Sequence, residues 1–230
     1  MDFWIVFVTL IWLTIIQNAQ MRSKHCSKDY HFDYILLAVQ WPETFCERTK
    51  CAAHKNKWSI HGAWPENYDG SWNENCCTQH RFQADILKPI ESDLKKHWKT
   101  LKAHSSNEKF WSHEYQKHGT CAIESPLLKD ELSYFNNTLN VFKTLDIQEW
   151  LSDAGIKISS RKSYRVDDFH DAIADGVGYD VMLQCTKTKY YTCPVISQIN
   201  FCLDKNTLEP FDCPWEHKGC KESVFYPRRH

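Results

Sequence analysis

The chain has 230 residues, 42% of them hydrophobic and 14% aromatic, enough to build the core of one domain. Its 28 lysines and arginines nearly balance 29 aspartates and glutamates, for a net charge of −1, a total that gives no sign of a broad basic surface holding a long polyanion at neutral pH. The 12 histidines alter that balance in acid, because below about pH 6 most exposed imidazoles carry a proton and the chain turns cationic.

The first element in chain order is a leader. Phe3 to Ile16, FWIVFVTLIWLTII, is apolar apart from two threonines, and Gln17, Asn18 and Ala19 follow. This reads as a secretory signal over residues 1–19 with a small residue at the cleavage point, although Asp2 stands where a basic residue is usual. The run is short for a membrane span, which takes about 20 residues, and no second hydrophobic segment appears. The expected product is an exported protein without a membrane attachment once the signal is removed, with residues 20–230 forming a single domain. The cysteines agree with that route: Cys26, Cys46, Cys51, Cys76, Cys77, Cys121, Cys185, Cys193, Cys202, Cys213 and Cys220 are a count at home in an oxidising compartment. They form no CxxC repeats of the kind that hold structural zinc. Their odd number leaves at least one thiol free or paired with another molecule. Asn136 opens the chain's single Asn-x-Ser/Thr sequon, NNT, and is a candidate N-glycan acceptor.

HFDYILLAVQW (31–41) reads as a strand ended by Pro42, and WSIHGAW (58–64) as an alternating strand stopped by Pro65. Between them CERTKC is a small loop that one disulfide would close. RFQADILKPIESDLKKHWKTL (81–101) has helical periodicity with a break at Pro89. SNEKFWSHEYQKHG (106–119) is a helix capped by Ser106, with Gly119 in the C′ position. Residues 126–145 and 146–156 read as two further helices and 166–178 as a short one. YDVMLQC and PVISQINFCLD read as buried strands, and the tail CKESVFYPRRH as an edge strand. Strands and helices interleave without a βαβ period, which points to an α+β fold, a central antiparallel sheet flanked by several helices.

The chemistry concentrates in two segments. On the helix, Glu114 and His118 are spaced i, i+4 on one face, and His113 and Lys117 on the adjacent one. One helix end thus offers imidazole, carboxylate and ammonium to a single cleft. The helix dipole, and Glu114 beside it, favour the protonated form of His118, and a histidine near ionisation suits proton transfer. HEYQKH is close to the zinc-protease pattern HExxH, but its second histidine is one residue late. Five residues turn about 500°, leaving His113 and His118 about 140° apart and unable to share one metal on a regular helix. In the other segment, His61 lies within an apolar run between Trp58 and Trp64, where an imidazole needs a partner or a cleft. Gly62 permits close approach to the backbone, and Trp64 and Trp72 offer flat faces to a planar ligand such as a nucleobase. A solvated helix face and ordinary tryptophan packing are the alternatives that either segment alone leaves open.

Together the segments resemble the two signatures of the ribonuclease T2 family: WSIHGAWPE is similar to WTIHGLWPD, and FWSHEYQKHGTC to FWEHEWxKHGTC. Ala63, Glu66 and Tyr115 replace the family's leucine, aspartate and tryptophan. AVQWPETFC and FYPRR resemble the family's two ends, so the likeness spans nearly the whole mature chain. It implies an endoribonuclease that cleaves single-stranded RNA without metal or other cofactor. The RNA supplies its own 2′-hydroxyl as nucleophile, one histidine takes its proton and a second protonates the departing 5′-oxygen. The product is a 2′,3′-cyclic phosphate, later a 3′-phosphate, and DNA is inert.

The resemblance assigns His118 as base and His61 as acid, Glu114 and Lys117 to stabilise charge on the phosphate, and His113 to bind it. Trp64, Glu66 and Trp72 match positions that hold one base, and Gln40 and Phe110 a second. It also implies disulfides Cys46–Cys51, Cys76–Cys121, Cys185–Cys220 and Cys202–Cys213, leaving Cys26, Cys77 and Cys193 over. Adjacent Cys76 and Cys77 make the partner of Cys121 ambiguous. A secreted or endolysosomal monomer is expected. A non-catalytic secreted binder of the same fold is the competing class, and retention of both histidines, Glu114 and Lys117 speaks against it. A zinc hydrolase is the third, distinguished by sensitivity to chelators.

Overall fold

The computed structural model describes residues 30–54, 56–77 and 80–228. The expected signal, residues 1–19, and Cys26 lie outside the described residues. The strands are β1 (Tyr34–Gln40), β2 (Ser59–Glu66), β3 (Ser163–Arg165), β4 (Met182–Thr186), β5 (Val195–Asp204), β6 (Pro210–Phe211) and β7 (Ser223–Phe225). The α-helices are α1 (Pro42–Cys46), α2 (Glu91–His97), α3 (Asn107–Lys117), α4 (Glu131–Lys143), α5 (Ile147–Asp153) and α6 (Val166–Val177). The strands form one sheet in the order β2-β1-β5-β7-β3, with β4 and β6 also paired to β5. All pairings are antiparallel except the short parallel contact of β5 with β7. The sheet is therefore mixed, in an α+β fold.

The sheet has two unlike faces, set by the two-residue period of its strands. On one, Ile35, Leu37 and Val39 of β1, Ile60 of β2 and Ile199, Phe201 and Leu203 of β5 join the main core. The helices complete that core with Trp111 and Tyr115 of α3, Tyr134, Phe135 and Leu139 of α4, Leu151 of α5 and Phe169 of α6. On the other face Tyr34, Leu36 and Cys202 make a small cluster with Trp64, Met182 and Phe211, too few apolar groups to cover it. Polar side chains populate the rest of that face, and the cleft forms there.

Four differences from the sequence expectations have physical causes. β2 runs on through Pro65 and Glu66, opposite Ile35 and Tyr34. It is the sheet's outer strand, where a proline costs no ladder bond. Residues 84–90 form a 3-10 helix containing Pro89, and the α-helix begins after it. The tail strand β7 sits between β5 and β3 rather than at the edge. Gly119 is not a left-handed cap, since its φ is not among the positive ones, and it opens a 3-10 turn, Gly119–Cys121. A Cβ on Gly119 would lie 2.4 Å from the ring of Tyr115, so close packing, not turn geometry, calls for glycine there.

All four disulfides implied by the resemblance are present. Cys76 is the partner of Cys121. Cys77 is disulfide-bonded as well, and Cys193 is a free thiol. Asn136 lies within α4, half-buried, with Thr138 of its sequon buried.

Candidate active site

Two irregularities aim the side chains of β2 into the cleft. The β1–β2 register pairs Ala38 with Gly62 and Val39 with Ile60, so His61 is the extra residue of a β-bulge. In a regular strand residues three apart point to opposite faces. The bulge cancels that, and His61 and Trp64 both line one cavity. Gly62 is the second irregularity: a Cβ there would fall 2.1 Å from Trp64 Nε1 and 2.4 Å from Glu114 Oε2. Its bare backbone leaves room for the indole to donate a 3.1 Å hydrogen bond to that carboxylate.

The helix α3 brings the other half. Ser106 caps it, its side chain accepting from Lys109 N. Trp111 and Tyr115 anchor its buried side, and His113, Glu114, Lys117 and His118 at its last turn line the same cavity as His61 and Trp64. Tryptophans tie the halves together: Trp111 Nε1 donates to Trp98 O at 2.6 Å, and Trp98 Nε1 to His61 O at 2.9 Å. The disulfide from Cys121 to Cys76 and a 2.8 Å bond from Asn75 N to Lys117 O hold residues 72–77 against the helix end. There Glu74 pairs with Lys117 at 2.9 Å and accepts from Trp72 Nε1 at 3.2 Å.

The rings of His61 and His118 both pack against the Trp64 indole, at centroid distances of 5.0 and 5.3 Å, which keeps the two imidazoles within about 10 Å of each other. The cavity they share has a volume of about 830 Å³ and is bounded further on by Glu66 and Trp72. A second cavity of about 260 Å³ opens on the other side of His61 and is lined by Gln40, Phe110 and His113. His61, His113 and Glu114 border both, and His118 borders the larger alone.

Local sequence patterns missed a polar relay under His61. Its Nδ1–H donates to Gln198 Oε1 at 2.9 Å, and Gln198 Nε2 donates to Asn200 Oδ1 at 2.6 Å and to Gln184 Oε1 at 3.4 Å. With Nδ1 so engaged, the neutral imidazole keeps its lone pair on Nε2. Asn200 Nδ2 is buried without a protein partner in a residue that borders the larger cavity, and so offers a donor to an occupant. The alternation of polar Gln198 and Asn200 in an otherwise apolar strand was the available signal.

Burial governs the ionisation. It is the main reason His118 is pulled down to about 3, with Lys117 adding to the effect and Glu74 opposing it. The protonated state expected from the helix dipole therefore does not prevail, because desolvation outweighs the dipole at this nearly covered ring. Burial also holds His61 below the ordinary imidazole range, against the Gln198 hydrogen bond. His113 is lowered by burial and by Lys117. Burial pushes Glu114 up to about 7 despite the Trp64 hydrogen bond, and Glu66 likewise to about 7, with Lys218 opposing and Glu74 assisting. Among the described residues no group of three or more His, Cys, Asp or Glu side chains is arranged to hold a metal.

The model of the Ribonuclease T2 family matches residues 32–213. The chain belongs to the ribonuclease T2 family. It is 30% identical over 226 residues to Ribonuclease 1 of Arabidopsis thaliana, covering 95% of each chain. The solved structure of RNase NT in complex with 5′-AMP is similar to it with a TM-score of 0.78 at 30% identity, over 86% of this chain and 98% of that one. Human RNase T2 gives a TM-score of 0.76 at 30% identity, over 85% and 98%. Membership of this ribonuclease T2 family places the chain among RNA endonucleases. Among the described residues no helix is long and apolar enough to cross a membrane.

Proposed function

We propose that this protein cleaves single-stranded RNA by acid–base transphosphorylation between His61 and His118, without a metal. The observation that carries the reading is the pair of imidazoles that both pack against the Trp64 ring and line one cavity, with Glu114 and Lys117 beside them. His118, uncharged across the mildly acid range, takes the proton of the 2′-hydroxyl. That oxygen attacks phosphorus, the P–O5′ bond breaks, and His61 delivers its proton to the departing oxygen. The Gln198 carbonyl oxygen on Nδ1 favours the imidazolium of His61 and so fits the acid role. The anionic phosphodiester favours protonation further. Lys117 and Glu114, the latter protonated at acid pH, stabilise charge on the non-bridging oxygens, and His113 binds phosphate.

The larger cavity, bordered by the base His118, takes the nucleotide that supplies the 2′-hydroxyl, with its base among Trp64, Glu66 and Trp72. The smaller one, bordered by the acid His61, takes the leaving nucleotide near Gln40 and Phe110. DNA has no 2′-hydroxyl and is inert. The disulfides favour a secreted or endolysosomal compartment, in which the enzyme acts as a monomer. The test is incubation of the purified protein with single-stranded RNA, with and without EDTA, and end-group analysis by mass spectrometry. Cyclic phosphate ends formed equally in both reactions are expected. Loss of cleavage with chelator, or 5′-phosphate ends, would overturn the mechanism.

A further inference from the structure

The cavities on either side of His61 are unequal: 830 Å³ against 260 Å³, roughly a threefold difference. Trp64, Glu66 and Trp72 account for only part of the lining of the larger one. Another part is walled by Trp215 and Lys218 from the loop between β6 and β7, by Tyr34 of β1 and by Gly70 after β2. Trp215 is fixed in place. Its Nε1 donates to Tyr34 Oη at 2.7 Å, and Gly70, at φ +79°, passes so near that a Cβ there would lie 3.5 Å from the indole. The residue nevertheless remains 38% exposed, so its polar edge is anchored while apolar surface stays open.

This wall continues the base site directly, since Tyr34 is the register partner of Glu66 across β1 and β2. Lys218 stands near enough for its charge to act on the Glu66 carboxyl. Of the carboxylates around the cavity, Glu74 is held by Lys117, and Glu216 lies at the exposed rim. An anchored aromatic face followed by a cation is the arrangement by which single-stranded nucleic acid is held one base at a time.

We propose that the part of the large cavity walled by Trp215 and Lys218 is a subsite for the nucleotide immediately preceding the one that supplies the 2′-hydroxyl, its base laid against Trp215 and its phosphate against Lys218. This rests on the ribonuclease reading above. Two substrates test it, a dinucleoside monophosphate and the same unit extended at its 5′ end by one 2′-deoxynucleotide. The deoxy sugar leaves a single cleavable linkage in both. Stacking of one base predicts that the extension raises kcat/KM by roughly 5- to 150-fold.

In Trp215→Leu, which keeps bulk over Gly70 but removes the flat face, the ratio of extended to short substrate should fall to the gain that an abasic extension gives. In Lys218→Gln, which leaves the indole in place, the ratio should fall part of the way. An abasic 5′ extension should return only the part owed to Lys218. No gain from extension in the unaltered protein, or a full gain retained in both variants, would overturn the subsite while cleavage of the short substrate upholds the ribonuclease reading. Failure to cleave either substrate would overturn both.

Discussion

Replacing Gly62 with alanine puts a methyl group beside the Trp64–Glu114 hydrogen bond, within 2.5 Å of both ends: 2.1 Å from the indole nitrogen and 2.4 Å from the carboxylate oxygen. Carbon contacts are comfortable at about 3.5–4.0 Å, so the indole must retreat by roughly 1.5 Å, and the 3.1 Å bond cannot survive. Overpacking of this kind costs about 1–3 kcal/mol. Leaving the nearly buried Glu114 carboxyl without its donor costs about 1–3 kcal/mol more. The sum, about 2–6 kcal/mol, lowers Tm by roughly 4–24 °C in a domain of this size. The same retreat moves the ring against which both His61 and His118 pack, and a misplacement of about 1 Å in such a constellation costs about a hundredfold in rate. Differential scanning calorimetry and kcat/KM on a dinucleoside monophosphate, measured well below the variant's Tm, read the two effects separately. A Gly62→Ala protein with Tm and kcat/KM near those of the unaltered chain would refute the crowding. A lowered Tm with unchanged kcat/KM would show that the Trp64–Glu114 link serves stability alone.

Three further outcomes follow from the geometry. His61 must enter as the cation, and its pKa is lowered from the ordinary 6.5, so the proton is lost as pH rises through a value below that. The alkaline limb of kcat/KM, which reports the free enzyme, should therefore lie on the acid side of about pH 6.5, and a rate that holds to pH 8 would contradict it. Gln198→Leu strips the acceptor from His61 Nδ1 and should cut kcat/KM roughly tenfold or more; because that bond raises the imidazole pKa, the limb should also move to lower pH, and an unmoved profile would reduce Gln198 to a packing residue. Replacing Cys76 and Cys121 by serine opens a crosslink spanning 45 residues, worth about 4 kcal/mol by loop entropy. Thermal unfolding should fall by roughly 8–16 °C, and an unchanged Tm would argue that the helix end is held by its hydrogen bonds alone.

Much of the architecture was legible where a pattern is long enough to show. β1 is an unbroken run of seven buried residues, apolar but for Gln40 at its end, and α3 carries its own cap in Ser106. β3 and β6, of three and two residues, are too short to carry a period, and α1 was hidden because Pro42 both ends the strand and opens the helix turn after it. The side chains proposed to react were recognisable as two motifs, since the i, i+4 spacing of Glu114 and His118 is local. The relay Gln198–Asn200 was not, because its meaning comes from the register of β5 against β1 and from the bulge at His61. His118 shows the same limit. The helix dipole is visible in a sequence, but the burial that overrides it is created by the Trp64 ring and the segment around Glu74.

The central claim is that His61 and His118 act on one phosphodiester as a unit, and a double-mutant cycle on kcat/KM measures that. His61→Ala and His118→Ala should each lower cleavage of a dinucleoside monophosphate by about 10²–10⁴-fold, and the double variant should lose little beyond the worse single one, as coupled catalytic groups do. Losses that multiply in the double variant, or either single variant cleaving at near the unaltered rate, would contradict it.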